Sequence, residues 1–297
     1  MTASPTPVGV YPICSSPPWH FRLAKWLIRN RLRGGFQIIE LAERRKWLNL
    51  DCRYTLGNHV SIDVPLYRRV NQLALPDLLS YERPLVKMLA ARINQSSEPV
   101  IWLDCGADIG ILTALIAAQC PGLREVVAFE PNVGAYAYLD RNIRLLPVRG
   151  RAICAAVADF KGQGRLAHAP HDSSDHSRFL APAPDGEIEV LRIDDLAIAP
   201  GQSVALKVDV EGGEVAVLRG AAQTLAGAKS WVVAVEAHRD VFHRTKIDPL
   251  ECVRFLEHMG NPEILVSEYP HIKLNLHKPF FQQVDDRILN LVCIHRG

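Results

Sequence analysis

Carboxylates stand at the ends of five successive apolar runs in the second two-thirds of the chain. The first run closes with Asp104-Cys105-Gly106-Ala107-Asp108-Ile109-Gly110 and the second with Glu130-Pro131-Asn132. The third closes with Ala155-Ala156-Val157-Ala158-Asp159, the fourth with Asp209-Val210-Glu211-Gly212, and the fifth with Glu236-Ala237-His238. In open parallel sheets, ligands bind beyond the carboxyl ends of the strands, near the switch in strand order. A row of acids there can accept hydroxyl hydrogen bonds, attract cations and move protons.

The first turn reads D-x-G-x-x-x-G. Gly106 and Gly110 let backbone approach a ligand and let a helix start close to the strand. Glu130 lies 26 residues after Asp104, at the next tip, where a carboxylate can accept both ribose hydroxyls of a nucleoside. The turn departs from the dinucleotide pattern G-x-G-x-x-G, because Asp104 takes the place of its first glycine. That acid would repel a pyrophosphate and attract a sulfonium cofactor bearing an amino group. S-adenosylmethionine is therefore favoured over NAD. The candidate cofactor-binding residues are Asp104, Cys105, Gly106, Ala107, Asp108, Gly110, Glu130, Pro131, Asn132 and Ala156.

A sulfonium is already an activated methyl donor, so the protein must mainly hold the nucleophile in line. An alcohol also needs a base or a metal. The candidate catalytic residues are Asp209, Glu211, Glu236 and His238. If the fourth strand stays regular, Lys207, Asp209 and Glu211 point to one side. Lys207 would then keep Asp209 ionised, or the two form a purely structural pair. His238 reads as a base or as a hydrogen-bonded loop residue. Asp209, Glu236 and His238 could together take a divalent metal, but no metal site is assigned. His168, His171 and His176 match no familiar ligand spacing, and their Pro/Ser-rich setting suggests a substrate-covering loop. Asn142 is expected to brace the fold, and Trp102 and Trp231 to lie in the core.

The elements that must position these groups alternate. "PVIWLDCG", "EVVAFEP", "RAICAAVAD", "SVALKVDV" and "WVVAVEAH" are strand candidates, and "PEILVSEY" and "RILNLVCIHR" complete the set. "ILTALIAAQC" is apolar all round and reads as a buried helix. "VGAYAYLDRNIRLL", "GGEVAVLRGAAQTLAG" and "PLECVRFLEHMG" are the other helices, with an irregular stretch between the third and fourth strands. Apolar strands alternating with helices imply a parallel sheet covered on both faces. Upstream, a basic helical segment breaks at Gly34–Gly35, "YTLGNHVSIDVPLY" suggests a hairpin, and "ERPLVKMLAARI" a helix. The expected division is a mobile Pro-rich start with the basic segment over 1–50, hairpin and helix over 51–97, and a catalytic domain over 98–297.

The net charge of +2 is uneven: residues 1–97 carry +8 and residues 98–297 carry −6. An acidic catalytic part argues against nucleic acid as a partner. The basic segment 22–33 can lie on an anionic membrane, bind an acidic carrier, or pack on the catalytic domain with its arginines solvated, which is the preferred reading. Seven cysteines at wide spacing, without CxxC, argue against a disulfide framework or structural zinc. Cys105, Cys154 and Cys293 read as buried thiols, and a reducing cytoplasm fits. There is no apolar run of membrane-spanning length. The start "MTASPTPVGVYPICSSPPW", with five prolines and no apolar core, does not read as a signal peptide.

The segments "LDCGADIG", "VVAFEPN" with "LDRNI", "LRIDDL", "LKVDVEGGEVAVLRGA" and "VVAVEAHRD" resemble the motifs of the FkbM-type methyltransferase family over residues 99–240. The fourth is the most specific. The resemblance implies an α/β, Rossmann-like doubly wound seven-strand methyltransferase sheet, here with a small helical/hairpin N-terminal extension. It implies S-adenosylmethionine as cofactor and methyl transfer, usually to a hydroxyl on a sugar, polyketide or related metabolite. By that likeness Asp104, Gly106 and Gly110 line the cofactor pocket, Glu130 holds the ribose, and Asp209 and Glu211 face the reaction centre. The family often has Asn where this chain has Asp108. The expected partner is a small-molecule or glycan hydroxyl acceptor. The sequence does not fix that acceptor or the oligomeric state. Rival readings are an NAD-dependent oxidoreductase and a non-catalytic nucleoside-binding regulatory protein.

Overall fold

The computed structural model describes residues 11–66, 75–168 and 178–297. The expectation of a mobile start therefore falls, for residues 1–10, outside the described residues. Residues 13–14 are ordered, as strand β1 (Ile13–Cys14). Helices α1 (Trp19–Arg29) and α2 (Gly35–Arg44) follow, separated at the Gly34 break. Strands β2 (Asp51–Gly57) and β3 (Val60–Pro65) form the expected hairpin, and β1 adds to it parallel to β2. Asn58 and His59 turn the hairpin, both at positive φ, as a two-residue connection of right-handed strands requires. A short helix α3 (Leu75–Leu78) precedes α4 (Arg83–Gln95).

The central sheet comprises β4 (Val100–Cys105), β5 (Leu123–Phe129), β6 (Gly150–Ile153), β11 (Ser203–Val208), β12 (Ser230–His238), β13 (Glu263–Val266) and β14 (Ile288–His295). Their order is β13-β14-β12-β11-β4-β5-β6. The strands from β12 to β6 run parallel, and β14 inserts antiparallel between β12 and β13. Side chains alternate between two cores. Val100 and Trp102 of β4 face a core shared with α4, α5 (Ile111–Gln119) and α6 (Val133–Ile143). Ile101, Leu103 and Cys105 face the opposite core, with α7 (Glu214–Arg219), α8 (Ala222–Gly227) and α10 (Leu250–Gly260). Trp231 joins the second core, and Ile111 through Ala118 are all buried.

The N-terminal hairpin is clamped to α6 by polar groups. Asn142 accepts from the Asp63 amide at 2.8 Å and donates to the Asp63 and Ile109 carbonyls. The buried Asp51 accepts from Tyr138 Oη at 3.0 Å and Arg141 Nη2 at 2.6 Å, while Arg53 pairs with the buried Asp63. Buried carboxylates of this kind persist only when paired.

Between β6 and β11 lies a second sheet, where the sequence suggested only irregular chain. It contains β7 (Ala156–Val157), β8 (Gly162–His168), β9 (Arg178–Pro182) and β10 (Ile188–Leu191), in the order β7-β10-β8-β9. The expected third strand is thus two: β6 stays in the central sheet and β7 crosses to the second. The single helix expected over "GGEVAVLRGAAQTLAG" also divides, into α7 and α8. At Gly220, where the two helices meet, a Cβ would stand 2.0 Å from the Ala158 carbonyl oxygen, so only glycine fits there. Asp194, in the "LRIDDL" segment, accepts from the Gln223 and Thr224 amides and caps α8. Cys105 and Cys293 are buried as expected, but Cys154 is only half-buried. His171 and His176 lie outside the described residues, as does the side chain of His168. Helix α9 (Arg239–Thr245) follows β12 directly.

Candidate active site

The strand order places the acids along one rim. Neighbouring strands lie about 4.8 Å apart. Glu130 follows β5, Asp104 belongs to β4, Asp209 follows β11 and Glu236 belongs to β12. A cavity of about 650 Å³ opens at this rim. Asp104, Gly106, Ala107, Asp108, Glu130, Pro131, Asn132 and Ala156 line it, with Asp209, Glu211, Glu236 and His238. Two of the residues expected in its cofactor wall do not line it. Cys105 is fully buried in the core behind, and Gly110 packs against Leu139, whose Cδ1 lies 2.9 Å from where a Cβ would be.

Backbone geometry at the first turn explains its residue types. Gly106 has φ +83°, and a Cβ there would stand 1.8 Å from the Asp209 carbonyl oxygen. Its missing side chain serves the crossing of two strand tips, since the Asp209 amide bonds to the Cys105 carbonyl at 3.0 Å. Asp108 adopts φ +47°, a conformation that Asp and Asn tolerate better than other side chains. Its amide thereby donates to Glu130 Oε2 at 2.9 Å, while the Asn132 amide donates to Glu130 Oε1 at 2.8 Å. Glu130 is held in one orientation by these two amides.

Asp104 is fully buried. Trp102 Nε1 donates to Thr113, which donates to Asp104 Oδ2 at 2.5 Å, whereas Oδ1 has no partner. Burial raises its carboxyl pKa, against the pull of Lys207 and the Thr113 bond. Lys207 Nζ lies 2.7 Å from Asp209. Burial opposes the Lys207 charge, but the carboxylates of Asp209, Asp104 and Glu82 outweigh it and hold its pKa well above the ordinary value. Glu236 is pushed well above the carboxylate range by burial and then by the Asp209 charge. Both effects favour its protonated form.

Regular strand geometry ends at Val208 rather than continuing to Glu211, which takes φ +59°. The side chain of Glu211 pairs with Arg244 at 3.8 Å and still returns to the cluster. Carboxylate oxygens of Asp209, Glu211 and Glu236 lie within 4.8 Å of one another. The metal trio drawn from sequence is corrected here: Glu211 stands in the group where His238 was expected. His238 borders the cavity, its Nδ1 has no partner, and burial lowers its pKa.

Two residues escaped the sequence reading. Tyr81 and Glu82 precede α4, and Tyr81 lines the cavity. Much of Tyr81 is solvent-exposed, but its hydroxyl lies among the acids, where burial and then the Glu82 charge push its pKa well above the usual value. Glu82 sits at φ +41°, its Oε2 has no partner, and burial raises its pKa. A signal existed in the Tyr-Glu pair just before Arg83-Pro84, since Pro marks a helix start. The cavity lining also includes the apolar side chains of Phe160 and of Leu166, Leu180 and Pro182 from the second sheet.

The family described as Methyltransferase FkbM domain matches residues 104–262, which contain the rim from Asp104 to His238. The chain belongs to the FkbM methyltransferase family. As an FkbM methyltransferase it uses S-adenosylmethionine, and the NAD and binding-only readings are set aside. Among solved structures, it is similar to Methyltransferase FkbM from Methylobacillus flagellatus KT, with 15% identity over 92% of this chain and 76% of that one, TM-score 0.42. A SAM-dependent O-methyltransferase from Thermotoga maritima shows 11% identity over 80% and 74%, TM-score 0.40. A putative rRNA-methylase from Clostridium thermocellum shows 13% over 71% and 94%, TM-score 0.42. Among curated proteins, no sequence matches this FkbM methyltransferase. No helix among its described residues is long and apolar enough to cross a membrane.

Proposed function

We propose that this methyltransferase acts on a hydroxyl of a small molecule, sugar or glycan. S-adenosylmethionine supplies a methyl group already activated on a sulfonium. The residues present fit that cofactor. Glu130 offers a pre-oriented carboxylate for the ribose hydroxyls, and the unpartnered Oδ1 of buried Asp104 calls for a donor or a cation. Gly106, Ala107, Asp108, Pro131, Asn132 and Ala156 would complete that wall.

The observation that carries the hydroxyl reading is the set of proton-handling groups on one cavity wall. An attacking hydroxyl must lose its proton in the transition state. Asp209 and His238 are the groups that can take it, His238 because it is neutral at pH 7 with Nδ1 uncommitted. Burial and the Asp209 charge raise the Glu236 pKa and so make it the weaker candidate for this role, and Lys207 compensates the charge of Asp209. Glu211 is turned toward Arg244 and braces the cluster. A divalent cation on Asp209, Glu211 and Glu236 is the second reading, favoured by the closeness of their oxygens. The unpaired state of all seven cysteines supports a cytoplasmic setting.

The test is labelled methyl transfer to a panel of hydroxylated, amine and thiol acceptors. Asp209→Asn is expected to lower kcat about 100-fold or more while cofactor affinity holds. Equal loss of turnover and affinity would mark Asp209 as structural. Transfer confined to amines or thiols would remove the hydroxyl reading. Activity lost on chelation and restored by magnesium would select the metal route.

A further inference from the structure

Helix α1 leaves its most apolar stripe in water. Trp19, Leu23 and Trp26 are spaced by four and three residues and so share one helical face. They are 69%, 40% and 55% exposed. The opposite face is spent on the fold, burying Phe21, Ala24 and Lys25. The turn to α2 adds Leu32 at 49% exposure, and the first turn of α2 adds Phe36 at 62%. Trp47, half exposed, lies beside His20 at 5.6 Å between ring centroids, the planes inclined at 58°. The same chain buries Trp102 and Trp231 completely or nearly so, which makes the outward tryptophans of α1 a local feature.

The charges follow the same division. Lys25 pairs with Asp77 at 2.8 Å and Arg29 approaches it at 3.6 Å. Arg22, Arg31 and Arg33 are exposed and have no acidic partner among the described residues. No acid occurs between residues 11 and 36. On the helix, Arg22 and Arg29 border one side of the apolar stripe rather than interrupting it.

We propose that α1 and the turn after it dock on an anionic membrane surface. Trp19, Leu23 and Trp26 enter the boundary between headgroups and acyl chains, and Arg22, Arg31 and Arg33 meet lipid phosphates. Tryptophan suits that boundary because its ring is apolar and its N–H polar. A helix with an apolar stripe and an arginine border is the form that lies in the interface plane. A partner recognised by charge alone, such as an acidic polypeptide, would leave the three apolar side chains unused. With no membrane-crossing helix among the described residues, attachment is peripheral.

The experiment is co-sedimentation of the full chain with phosphatidylcholine vesicles with and without phosphatidylglycerol, alongside polyglutamate and single-stranded RNA. Binding to the anionic vesicles alone is expected. Arg22→Gln, Arg31→Gln and Arg33→Gln should each weaken it about fivefold, from about 1 kcal/mol per basic residue at such a surface. The double variant Trp19→Ala/Trp26→Ala should abolish it. Cofactor affinity should stay unchanged throughout, which shows that the variants fold and keeps this outcome separate from the methyl-transfer reading. Vesicle binding indifferent to the tryptophans overturns the proposal. So does capture of RNA or polyglutamate without vesicle binding.

Discussion

The rim of the central sheet and the second, four-stranded sheet line one cavity but contribute opposite things. The rim brings charge: Glu130, Asp104, Lys207, Asp209 and Glu236 on four adjacent strands. The second sheet brings apolar surface through Leu166, Leu180 and Pro182. Their support differs as well. Rim residues grow from strands packed on both faces by large cores, whereas the second sheet rests on a small cluster of Ala156, Ala158, Ile188 and Val190. A rigid frame suits groups that must meet a cofactor at fixed distances. A lightly held apolar wall suits contact with a less uniform acceptor. The two are tied together where Arg244 stacks over Phe179 of β9, at 4.8 Å, while pairing with Glu211.

The contrast is sharpest at two glycines. In Gly106→Ala the new Cβ would meet Asp209 backbone at a positive φ, with nothing able to move aside. We expect about 3–4 kcal/mol of lost stability from strain and overpacking together, read by urea unfolding. In Gly164→Ala of β8 the new Cβ would meet Leu180 Cδ1 at 2.5 Å, the end of a side chain that can rotate, while the Ala181 carbonyl oxygen at 3.2 Å and Val190 Cγ2 at 3.3 Å need to give only a few tenths of an ångström. About 1 kcal/mol is expected there. Equal losses would mean that the second sheet is as rigid as the rim.

Cofactor affinity should separate the regions next. Glu130→Ala removes a carboxylate that two amides orient, and about 100-fold weaker S-adenosylmethionine binding is expected from two lost charge-assisted hydrogen bonds. Calorimetry measures it directly. Unchanged affinity would remove the ribose role. Leu166→Ala, in the second sheet, should leave this affinity alone.

The rim should also titrate where the apolar wall does not. Because burial raises the Glu236 pKa in the folded chain, the unfolded chain releases this proton at a lower pH than the folded chain does. Its contribution to stability is therefore full below pH 4.5 and lost as pH rises toward the folded value. Glu236→Gln should flatten that decline, seen as a smaller difference between urea midpoints at pH 5 and pH 8. His238 has the opposite sense. Its folded pKa lies below 6.5, so kcat/KM should fall only in acid, and His238→Gln should abolish that limb if the imidazole is the base. An unaltered profile assigns the proton to Asp209.

The rim was legible in the sequence for a physical reason. Strands buried on both faces are continuous apolar runs, and a polar residue at their ends stands out, as at Asp104, Glu130 and Glu236. The second sheet offered no such mark. Its strand β8, Gly162–His168, carries Leu166 among Gly, Gln and Arg, and β10 has four residues. Pairing with neighbours far along the chain makes these strands, and periodicity does not record that. The packing at Gly220 was hidden in the same way, because what excludes a side chain there is the Ala158 backbone more than sixty residues earlier. Tyr81 was missed because it enters the cavity from a segment outside the alternating pattern, and Glu82 because it belongs to the same segment.

The smallest effect is expected at Leu180, and it bears most directly on what the second sheet is for. Its side chain is partly buried against the small cluster and borders the cavity. Leu180→Ala should cost about 1 kcal/mol of stability, less than a fully buried leucine, because the site can collapse or fill with water. If the second sheet shapes the acceptor's half of the cavity, KM for the acceptor should rise several-fold with kcat and cofactor affinity held. A loss of apolar contact made equally in ground and transition states has that signature. Weakened cofactor binding with an unchanged acceptor KM would reverse the assignment. The apolar wall would then cover the adenine side, and the acceptor would enter over β12 and β14, past His238 and Ile288.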